Sequence, residues 1–446
     1  MKHIAFNHAR ATRTSLLAQE ETLSQATTRD IRKVIVILSS SRSGSSLLYD
    51  LLKRTKQVLS LQGEHTVLYK LHGYSFPALQ LTSDYIAPSS QYDLTSISRD
   101  ILAEIGIGAD VEQFAVEDHI RDMALRLTLQ WPWFLLSAED WLGYLKEATQ
   151  RLARADQQWT PDHLLLTLCT QLRADGYAIN PYYYDLPKEL IKGFLGEQTP
   201  SFPSPQGPPC SEYCIEEPPF VVVRPRQHAT IEDLQNKPLL LKASVDAYRF
   251  LFLRQLFPHA QFNIIHLTRN PASSINGLYD GWHDRGFFSY NLQEHARLAI
   301  AGYSDRYDWG TRWWNYDLPP QWESVIDQPL EYVCAFQWYS AHTHILDTLN
   351  SQSEANTYRI KFEDILHSVQ RRQETVKVLL RSLNLDFDSD LQAATTQMPV
   401  VMATIAPAQR RWEMRKQQIW PIVTQPSISD LARELGYYLQ SERDWL

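Results

Sequence analysis

The stretch from Val34 to Leu52, VIVILSSSRSGSSLLYDLL, constrains the fold more than any other part of the chain. Its first five residues, Val34 to Leu38, are apolar and mostly β-branched, which is typical of a buried parallel strand. The leucines between Leu47 and Leu52 recur at i, i+1, i+4 and i+5, a pattern that predicts one apolar face of a helix. The stretch therefore predicts a strand, a loop of small residues and a helix in succession.

The loop between this strand and this helix has the composition of a phosphate-binding turn. Ser and Gly let an anion approach backbone N–H groups at the helix N-terminus, which carries roughly half a positive charge. A nucleotide-hydrolysing P-loop would carry Lys where Ser45 stands, whereas the fixed charge here is Arg42, two residues before Gly44. The alternative interpretation is an ordinary strand-to-helix turn, because Ser-rich turns before helices are common.

The length and charge of the chain limit the classes of protein to consider. With 446 residues the chain can bury a large core, and about 150 residues per domain suggests two or three units. Hydrophobic residues make up 44% and charged residues 21%, as in a soluble globular protein. The net charge of −8 argues against general nucleic-acid binding, so a site for a polyanionic cofactor must be locally basic.

The cysteines and the apolar segments favour a cytoplasmic protein. Cys210 and Cys214 are spaced C-x₃-C without a second pair, which is a poor zinc signature; they could form a disulfide, but a reduced cytosolic chain is favoured. The N-terminal residues lack an apolar stretch of about 7–15 residues, and no apolar run reaches about 18 residues. We therefore expect neither export nor membrane insertion.

The order of patterns predicts an α/β fold, a P-loop-like parallel sheet flanked by helices with a helical insertion on the substrate side. Residues 1–30 are predicted to form a polar lead-in with one helix, and residues 31–446 the main domain. Its core takes in 31–80 and 236–446, and about 81–235 forms the helical and proline-rich insertion.

Further elements follow from hydrophobic periodicity and from proline positions. Helices without strands are expected over 95–180, another helix over 331–349, and a helix that begins at a Ser244 or Asp246 cap and stops before Pro258. The predicted strands after the first are Val58–Leu61, an edge strand at Phe220–Val223, a strand that ends at Lys242, Phe262–Leu267 and Tyr358–Phe362.

Four segments resemble, in order, the sulfotransferases that use 3′-phosphoadenosine 5′-phosphosulfate (PAPS). The S-R-S-G-S-S loop resembles their 5′-phosphosulfate loop, and LKASVDAYRFLFLRQLFPHAQFNIIHLTRNPASSIN resembles their central block. YRIKFEDIL is similar to a Tyr-Glu-Asp-Leu strand end with Phe362 in place of the tyrosine, and RRWEMRKQQI with the later Leu-Gly-Tyr is similar to their C-terminal segment. The matching segments are 34–70, 238–280, 331–366 and 404–438.

The resemblance implies PAPS as cosubstrate, bound without a metal. Arg269 follows a buried strand and would bind the 3′-phosphate, by the bidentate bonding that suits a guanidinium. The family's serine eight residues later is Gly277 here, so Ser274 is the preferred substitute, with Ser273 as its neighbour. The other residues implied to hold the donor are Arg42, Ser43, Gly44, Ser45 and Ser46 in the loop, and Arg411, with Arg410 and Arg415, closing over the nucleotide.

Glu64 is the candidate base, since it lies 22 residues after Arg42 and follows Gly63. This position is close to that of the glutamate after the loop in tyrosylprotein-type sulfotransferases, which a glycine also precedes. His65 is the alternative base, because many cytosolic sulfotransferases use histidine. Lys242 would neutralise charge on the leaving phosphate. Each also has a structural interpretation: a first-turn acid in a helix for Glu64, a core histidine for His65 and a strand-end surface lysine for Lys242.

The sequence leaves the acceptor and two rival functions open. The aromatic tract from Gly281 to Trp322 is either core or an acceptor wall, and the acceptor hydroxyl could belong to a phenol, a sugar, a lipid or a peptidyl tyrosine. A P-loop kinase or NTPase is one rival, and an inactive nucleotide-binding scaffold of the same fold is the other. The predicted reaction is in-line sulfuryl transfer from PAPS to the acceptor, in which placement and electrostatics dominate.

Overall fold

The computed structural model of this chain describes residues 2–18, 26–108, 115–154, 159–196, 202, 205, 207–284, 286–352, 355–403, 405, 408–440 and 445. Its strands are β1 (Lys33–Leu38), β2 (Gly106–Gly108), β3 (Arg226–His228), β4 (Leu239–Lys242), β5 (Gln261–Thr268), β6 (Phe288–Asn291), β7 (Trp313–Asn315) and β8 (Asn356–Lys361). Its helices are α1 (Lys2–Leu17), α2 (Ser45–Lys53), α3 (Thr66–His72), α4 (Thr95–Ala103), α5 (Val116–Gln130), α6 (Ala138–Arg154), α7 (Pro161–Ala174), α8 (Lys188–Leu195), α9 (Ile231–Asn236), α10 (Phe250–Leu256), α11 (Pro271–Trp282), α12 (Leu330–Ser351), α13 (Phe362–Leu366), α14 (Val369–Ser382), α15 (Ser389–Thr396), α16 (Lys416–Val423) and α17 (Pro426–Glu434).

A four-stranded parallel sheet with the order β4-β1-β5-β8 forms the centre of the fold. Strand β1 is internal: Val36 pairs with Leu241 on one side and with Ile264 on the other. Apart from the exposed Lys33 at its start, β1 is buried throughout. The predicted buried parallel strand, and the α/β class with helices around a parallel sheet, are confirmed.

Helices cover both faces of this sheet because its strands are apolar on both. Val34 and Val36 point into a core shared with α3, α4, α10 and α12. Ile35 and Ile37 point into a second core, formed with α2, α14 and α15. This alternation places α2 directly behind the loop that leaves β1.

The sheet edges differ from the prediction. The strand predicted at Val58–Leu61 is reduced to one isolated parallel bridge between Leu59 and Leu239. It does not continue along the sheet, because the next residue, Ser60, exchanges hydrogen bonds with Gly106 instead. Phe220–Val223 runs without strand structure apart from a bridge at Phe220, so the predicted edge strand was wrong.

Three further features were also predicted incorrectly. The insertion is helical over α4 to α8, as expected, but it also contains the short antiparallel pair β2 and β3. After Lys242 the chain forms a 3-10 turn over Ser244–Tyr248, so neither Ser244 nor Asp246 caps α10, which begins after Arg249. Phe362, predicted to end the last strand, instead begins α13.

The predicted N-terminal helix is confirmed as α1, and it packs against the insertion. Ala5, Ala9 and Leu16 on one face of α1 are almost completely buried. Arg13 is 1% exposed, and its Nε donates to Asp100 Oδ1 at 2.8 Å. The division of the chain at residue 30 stays a prediction.

The aromatic tract mainly builds the core. Trp313, Trp314 and Trp322 are at most 2% exposed, the last two in a cluster with α11 and α12. Phe287 and Tyr316 are the exceptions, because they stack with their ring centroids 4.7 Å apart and line the cavity described below. The core interpretation therefore holds for these three tryptophans, and Phe287 and Tyr316 are the residues of the tract that line the cavity.

Two expectations about cysteines and membranes can be compared with the fold. Cys210 and Cys214 are both free thiols. The reduced, cytosolic state stays a prediction. Within the part of the chain that the structure describes, no helix combines the length and the hydropathy needed to cross a membrane.

Candidate active site

A cavity of about 490 Å³ lies at the carboxyl ends of the strands of the central sheet. It is lined by residues that follow or end each strand, including Ser41 after β1, Lys242 in β4, Arg269 after β5 and Phe362 after β8. This edge is where open parallel sheets bind ligands. The predicted site residues that line the cavity are Arg42, Gly44, Ser45, Ser46, Glu64, Lys242, Arg269 and Arg411.

The loop between β1 and α2 turns through two residues with left-handed backbone angles, Arg42 at φ 63° and Gly44 at φ 90°. A Cβ on Gly44 would lie 2.2 Å from the Phe362 ring, so the position requires glycine for both conformation and space. Ser45 begins α2, whose free N–H groups therefore point toward the cavity. This arrangement is chemically suited to an anion.

Gly44→Ala is expected to lower the free energy of unfolding by more than about 1 kcal/mol, because the new Cβ strains the backbone and displaces the Phe362 ring. Urea unfolding measures the change. Gly143→Ala is the matched control, since Gly143 is an exposed residue of α6 with open space around its Cα. That change should stabilise the chain by about 0.5–1 kcal/mol. Equal effects of the two alanines would contradict the close approach of Phe362.

The side chain of Arg42 lies against the cavity wall. Its Nη1 donates a hydrogen bond to the carbonyl oxygen of Met402 at 2.8 Å, and its guanidinium lies 5.4 Å from the centre of the Phe287 ring. Met402 belongs to an irregular segment, Met398–Ala403, that lines the cavity next to the loop. No periodic pattern in the sequence marks this segment.

Buried polar contacts hold the rest of the loop in place. Ser41 Oγ donates to Asp317 Oδ1 at 2.5 Å, and Tyr248 Oη donates to Asp317 Oδ2 at 3.1 Å. Burial raises the pKa of Asp317 to about 7. Ser43 Oγ lies 2.6 Å from Ser40 Oγ and faces into the loop, so Ser43 can offer a ligand its backbone rather than its hydroxyl. Sequence reasoning missed Asp317, an acid within an aromatic tract.

Arg269 joins the loop to the end of β5. Its Nη1 donates to the carbonyl oxygen of Arg42 at 2.9 Å, and burial lowers its pKa to about 10, so it stays charged at neutral pH. Among the described residues its buried Nε has no hydrogen-bond partner. A Cβ on Gly277 would lie 3.7 Å from Arg269 Nη1, so the residue in place of the family's serine does line this corner.

The hydroxyl nearest to this corner is not the one that we preferred. Ser274 is fully buried on the inner side of α11, away from the cavity. Ser273 precedes it at the first turn of the same helix and does line the cavity. Ser273 is therefore the better candidate for a ligand contact.

Glu64 and Lys242 form an ion pair in the cavity, with Glu64 just before α3 and Lys242 at the end of β4. The Lys242 side chain is 10% exposed and that of Glu64 is 35% exposed. His65 lies outside the cavity: it is buried, its Nε2 is 3.0 Å from Asp246 Oδ1, and it packs edge-on against Tyr69. The site thus contains an accessible carboxylate beside a cation, while His65 occupies a structural position.

An acid on α11 holds the basic C-terminal segment. Asp280 forms ion pairs with Arg411 and, at 2.8 Å, with Arg415. Arg415 also donates to Asn276 Oδ1 at 2.5 Å. Arg410 faces Glu413 at 2.8 Å and is 44% exposed. Of these arginines, Arg410 and Arg411 line the cavity, and sequence reasoning missed the anchor, Asp280.

Three motifs that lie far apart in the sequence meet beneath Arg269. The backbone N–H of Asn270 donates to Glu363 Oε1 at 2.9 Å, and Tyr437 Oη donates to Glu363 Oε2 at 2.9 Å. Thr268 Oγ1 lies 3.0 Å from Tyr437 Oη. Burial raises the pKa of the Glu363 carboxyl. The Thr-Arg-Asn, Glu-Asp and Leu-Gly-Tyr segments therefore act together to support the end of β5.

The insertion supplies the remaining wall of the cavity. Arg126 from α5 and the segment that contains Glu216, Glu217, Pro219 and Val221 line it. None of these residues belonged to a recognisable motif. Within the described ranges, no group of His, Cys, Asp and Glu side chains is arranged to hold a metal ion.

Comparisons with known proteins add little at the level of sequence. No family model matches the chain, and no curated protein matches it. Among solved structures, it is similar to the sulfotransferase domain from the curacin biosynthetic pathway, with 16% identity over 92% of this chain and 99% of that one and a TM-score of 0.35. It is also similar to sulfotransferase STF9 from Mycobacterium avium, with 10% identity over 98% and 85% and a TM-score of 0.39. At these TM-scores function must be argued from the cavity itself.

Proposed function

We propose that this protein is a sulfotransferase that moves a sulfuryl group from PAPS to an acceptor hydroxyl. One observation carries the proposal: an anion-binding loop, a strand-end arginine and an ion pair of Glu64 with Lys242 line the same cavity. The loop, Arg269, Glu64 and Lys242 were each predicted as site residues from separate parts of the sequence, whereas the pairing of Glu64 with Lys242 is a finding of the structure. Their common location supports one reaction centre.

The donor would lie along the loop and across the end of β5. Arg42 and the N–H groups at the start of α2 suit its 5′-phosphosulfate. Arg269 suits its 3′-phosphate, since a buried guanidinium with an unpaired Nε gains most from an anionic partner. Ser273 and Arg411 lie at the same corner and would add further donors.

The residues around the ion pair would carry the chemistry. The donor supplies an activated sulfuryl group, and transfer forms a bond from the acceptor oxygen to sulfur while the bond from sulfur to the bridging phosphate oxygen breaks. Glu64 would take the acceptor's proton. Lys242 would neutralise the negative charge that develops on the leaving phosphate.

The rival functions fit the cavity less well. A P-loop kinase or NTPase needs a lysine at the position of Ser45 and an acidic residue near the end of a core strand, where this chain has Arg269 and Asn270. An inactive scaffold needs only to bind a nucleotide, and binding alone does not require the ion pair of Glu64 and Lys242 that faces the cavity. The absence of the Walker lysine also makes the proposal testable by binding alone.

We expect the protein to bind 3′-phosphoadenosine 5′-phosphate at least tenfold more tightly than ATP, by about 1.4 kcal/mol or more, without Mg²⁺. The reason is that Arg42 and Arg269 match two separate phosphate positions, whereas an ATP triphosphate needs a lysine and Mg²⁺. Isothermal titration calorimetry with and without Mg²⁺ measures both affinities. Mg²⁺-dependent ATP binding without affinity for the bisphosphate would reject the proposal.

A further inference from the structure

The wall built by the insertion lies directly beside the ion pair of Glu64 and Lys242. A Cβ on Gly63 would lie 2.3 Å from Arg126 Nη2, so the Arg126 guanidinium is in contact with the backbone next to Glu64. Arg126 Nε in turn lies 2.6 Å from Glu216 Oε2. An acceptor whose hydroxyl reaches Glu64 therefore has the insertion as its other neighbour.

Both carboxylates of this wall are paired with cations. Glu216 has Arg126 as its partner and also accepts a hydrogen bond from the backbone N–H of Val221 at 3.0 Å. Glu217 Oε2 accepts from Lys70 Nζ at 2.6 Å, and its Oε1 accepts from Ser289 Oγ at 3.2 Å. Arg126 also pairs with Glu104 at 3.3 Å, so it belongs to a network of ion pairs. Each carboxylate of the wall has a cation beside it, and the wall is therefore strongly polar with its charges largely compensated.

Such a wall favours a neutral acceptor with many hydroxyls. A carboxylate has about four lone-pair positions, and each cation has several N–H groups, so the pairs retain capacity for further hydrogen bonds. A hydroxyl can both donate to a carboxylate and accept from a cation. A phenol or an alkyl chain against the same wall would cover these groups without bonding to them, which is unfavourable.

The position of the aromatic residues supports the same conclusion. The aromatic residues that line the cavity lie outside the insertion wall: they are Phe287, Tyr316, Phe362 and Trp412. Trp313, Trp314 and Trp322 are buried in the core. The apolar residues of the insertion wall are small, Pro219 and Val221, and they suit the C–H groups of a sugar ring.

We propose that Arg126, Glu216 and Glu217 of the insertion form an acceptor subsite that hydrogen-bonds a polyhydroxylated acceptor, a sugar or a sugar-like polyol. This inference rests on the proposed sulfotransferase function. It assigns acceptor choice to residues outside the segments that resemble the family. Glu217, 31% exposed in its side chain, is the member that a substitution can change without opening the core.

A transfer assay with labelled PAPS tests the subsite. The acceptors are methyl glycosides of glucose, galactose and mannose, with 2-naphthol, 1-octanol and a tyrosine-containing peptide for comparison. We expect kcat/KM for at least one glycoside to exceed that for each of the other three by about tenfold or more. No transfer to any glycoside, or equal transfer to 2-naphthol, would overturn the subsite.

Glu217→Gln keeps the size of the side chain and removes its charge. We expect it to raise KM for the preferred glycoside about tenfold and to raise KM for 2-naphthol by a much smaller factor. Glu212→Gln is the matched control, because Glu212 is an exposed glutamate in the same segment outside the cavity, and it should leave both values unchanged. Equal changes in KM for the glycoside and for 2-naphthol would also overturn the subsite.

Binding of 3′-phosphoadenosine 5′-phosphate separates failure of the subsite from failure of the proposed function. If Glu217→Gln is folded, its affinity for the bisphosphate should equal that of the unmodified protein, because Arg42 and Arg269 are untouched. If the protein binds the bisphosphate but transfers nothing to glycosides, the proposed donor site stands and the proposed acceptor subsite is wrong. If the unmodified protein does not bind the bisphosphate, both the proposed function and the acceptor subsite are wrong.

Discussion

Glu64→Gln is expected to lower kcat by about 10²–10⁴ while leaving the affinity for 3′-phosphoadenosine 5′-phosphate nearly unchanged. Glutamine keeps the shape of the side chain and can accept the acceptor's hydrogen bond, but it cannot take the proton. Because Glu64 is 35% exposed, the loss of its ion pair with Lys242 should cost the fold little. Steady-state transfer of labelled sulfuryl, together with calorimetry of bisphosphate binding, measures the two effects.

His65→Gln is the control for this result. The new amide can still donate to Asp246, so the buried contact at 3.0 Å is kept in part and the fold should survive. We expect less than about a tenfold change in kcat, because His65 lies outside the cavity. If His65→Gln abolished transfer and Glu64→Gln did not, the histidine would be the base and the tyrosylprotein-type analogy would be wrong.

Arg269→Ala is expected to weaken binding of the 3′,5′-bisphosphate by about 10²-fold, because two charge-assisted hydrogen bonds to the 3′-phosphate are lost. The structure gives Arg269 a second contact, since its Nη1 donates to the carbonyl oxygen of Arg42 in the loop between β1 and α2. Adenosine 5′-phosphosulfate, which lacks the 3′-phosphate, should therefore also bind more weakly to the variant. The factor by which its affinity falls should be at least tenfold smaller than the factor for the bisphosphate. Calorimetry of both ligands on the same variant measures the difference.

The comparison of the two ligands controls for general damage to the fold, because such damage would reduce both affinities by the same factor. Ser273→Ala is the milder companion variant, with the same selectivity on a smaller scale, because Ser273 lines the same corner of the cavity. Equal losses of both ligands in Arg269→Ala would make this arginine structural. The 3′-phosphate site would then have to be sought near Arg410 and Arg411.

Local patterns were sufficient to predict the centre of the fold. The apolar run of β1 and the leucine spacing of α2 are encoded over adjacent residues, so periodicity identified both. The strand-end positions of Lys242 and Arg269 followed in the same way. Because the strands are parallel, their carboxyl ends share one edge, and residues far apart in sequence were expected at one site.

What the sequence did not predict depends on distant partners. Asp317, Asp280 and Arg126 hold or line the site through contacts with residues that lie far away in the chain, and no short-range spacing marks such pairs. The short pair of β2 and β3 joins Gly106–Gly108 to Arg226–His228, so its pairing depends on tertiary structure rather than on strand propensity. The buried side of Ser274 likewise depends on how α11 is rotated.

The internal position of β1 also has a consequence for the order in which the protein can assemble as it is synthesised. Val34 pairs with Leu239 on one side and with Phe262 on the other. Strand β1 therefore has no partner in this sheet until the chain has grown past β4, and it gains its second partner only after β5. The insertion's own apolar cluster draws mainly on residues between Ile120 and Val223, which precede both partners. The insertion can therefore form its apolar core on the ribosome before the loop between β1 and α2 has a sheet behind it.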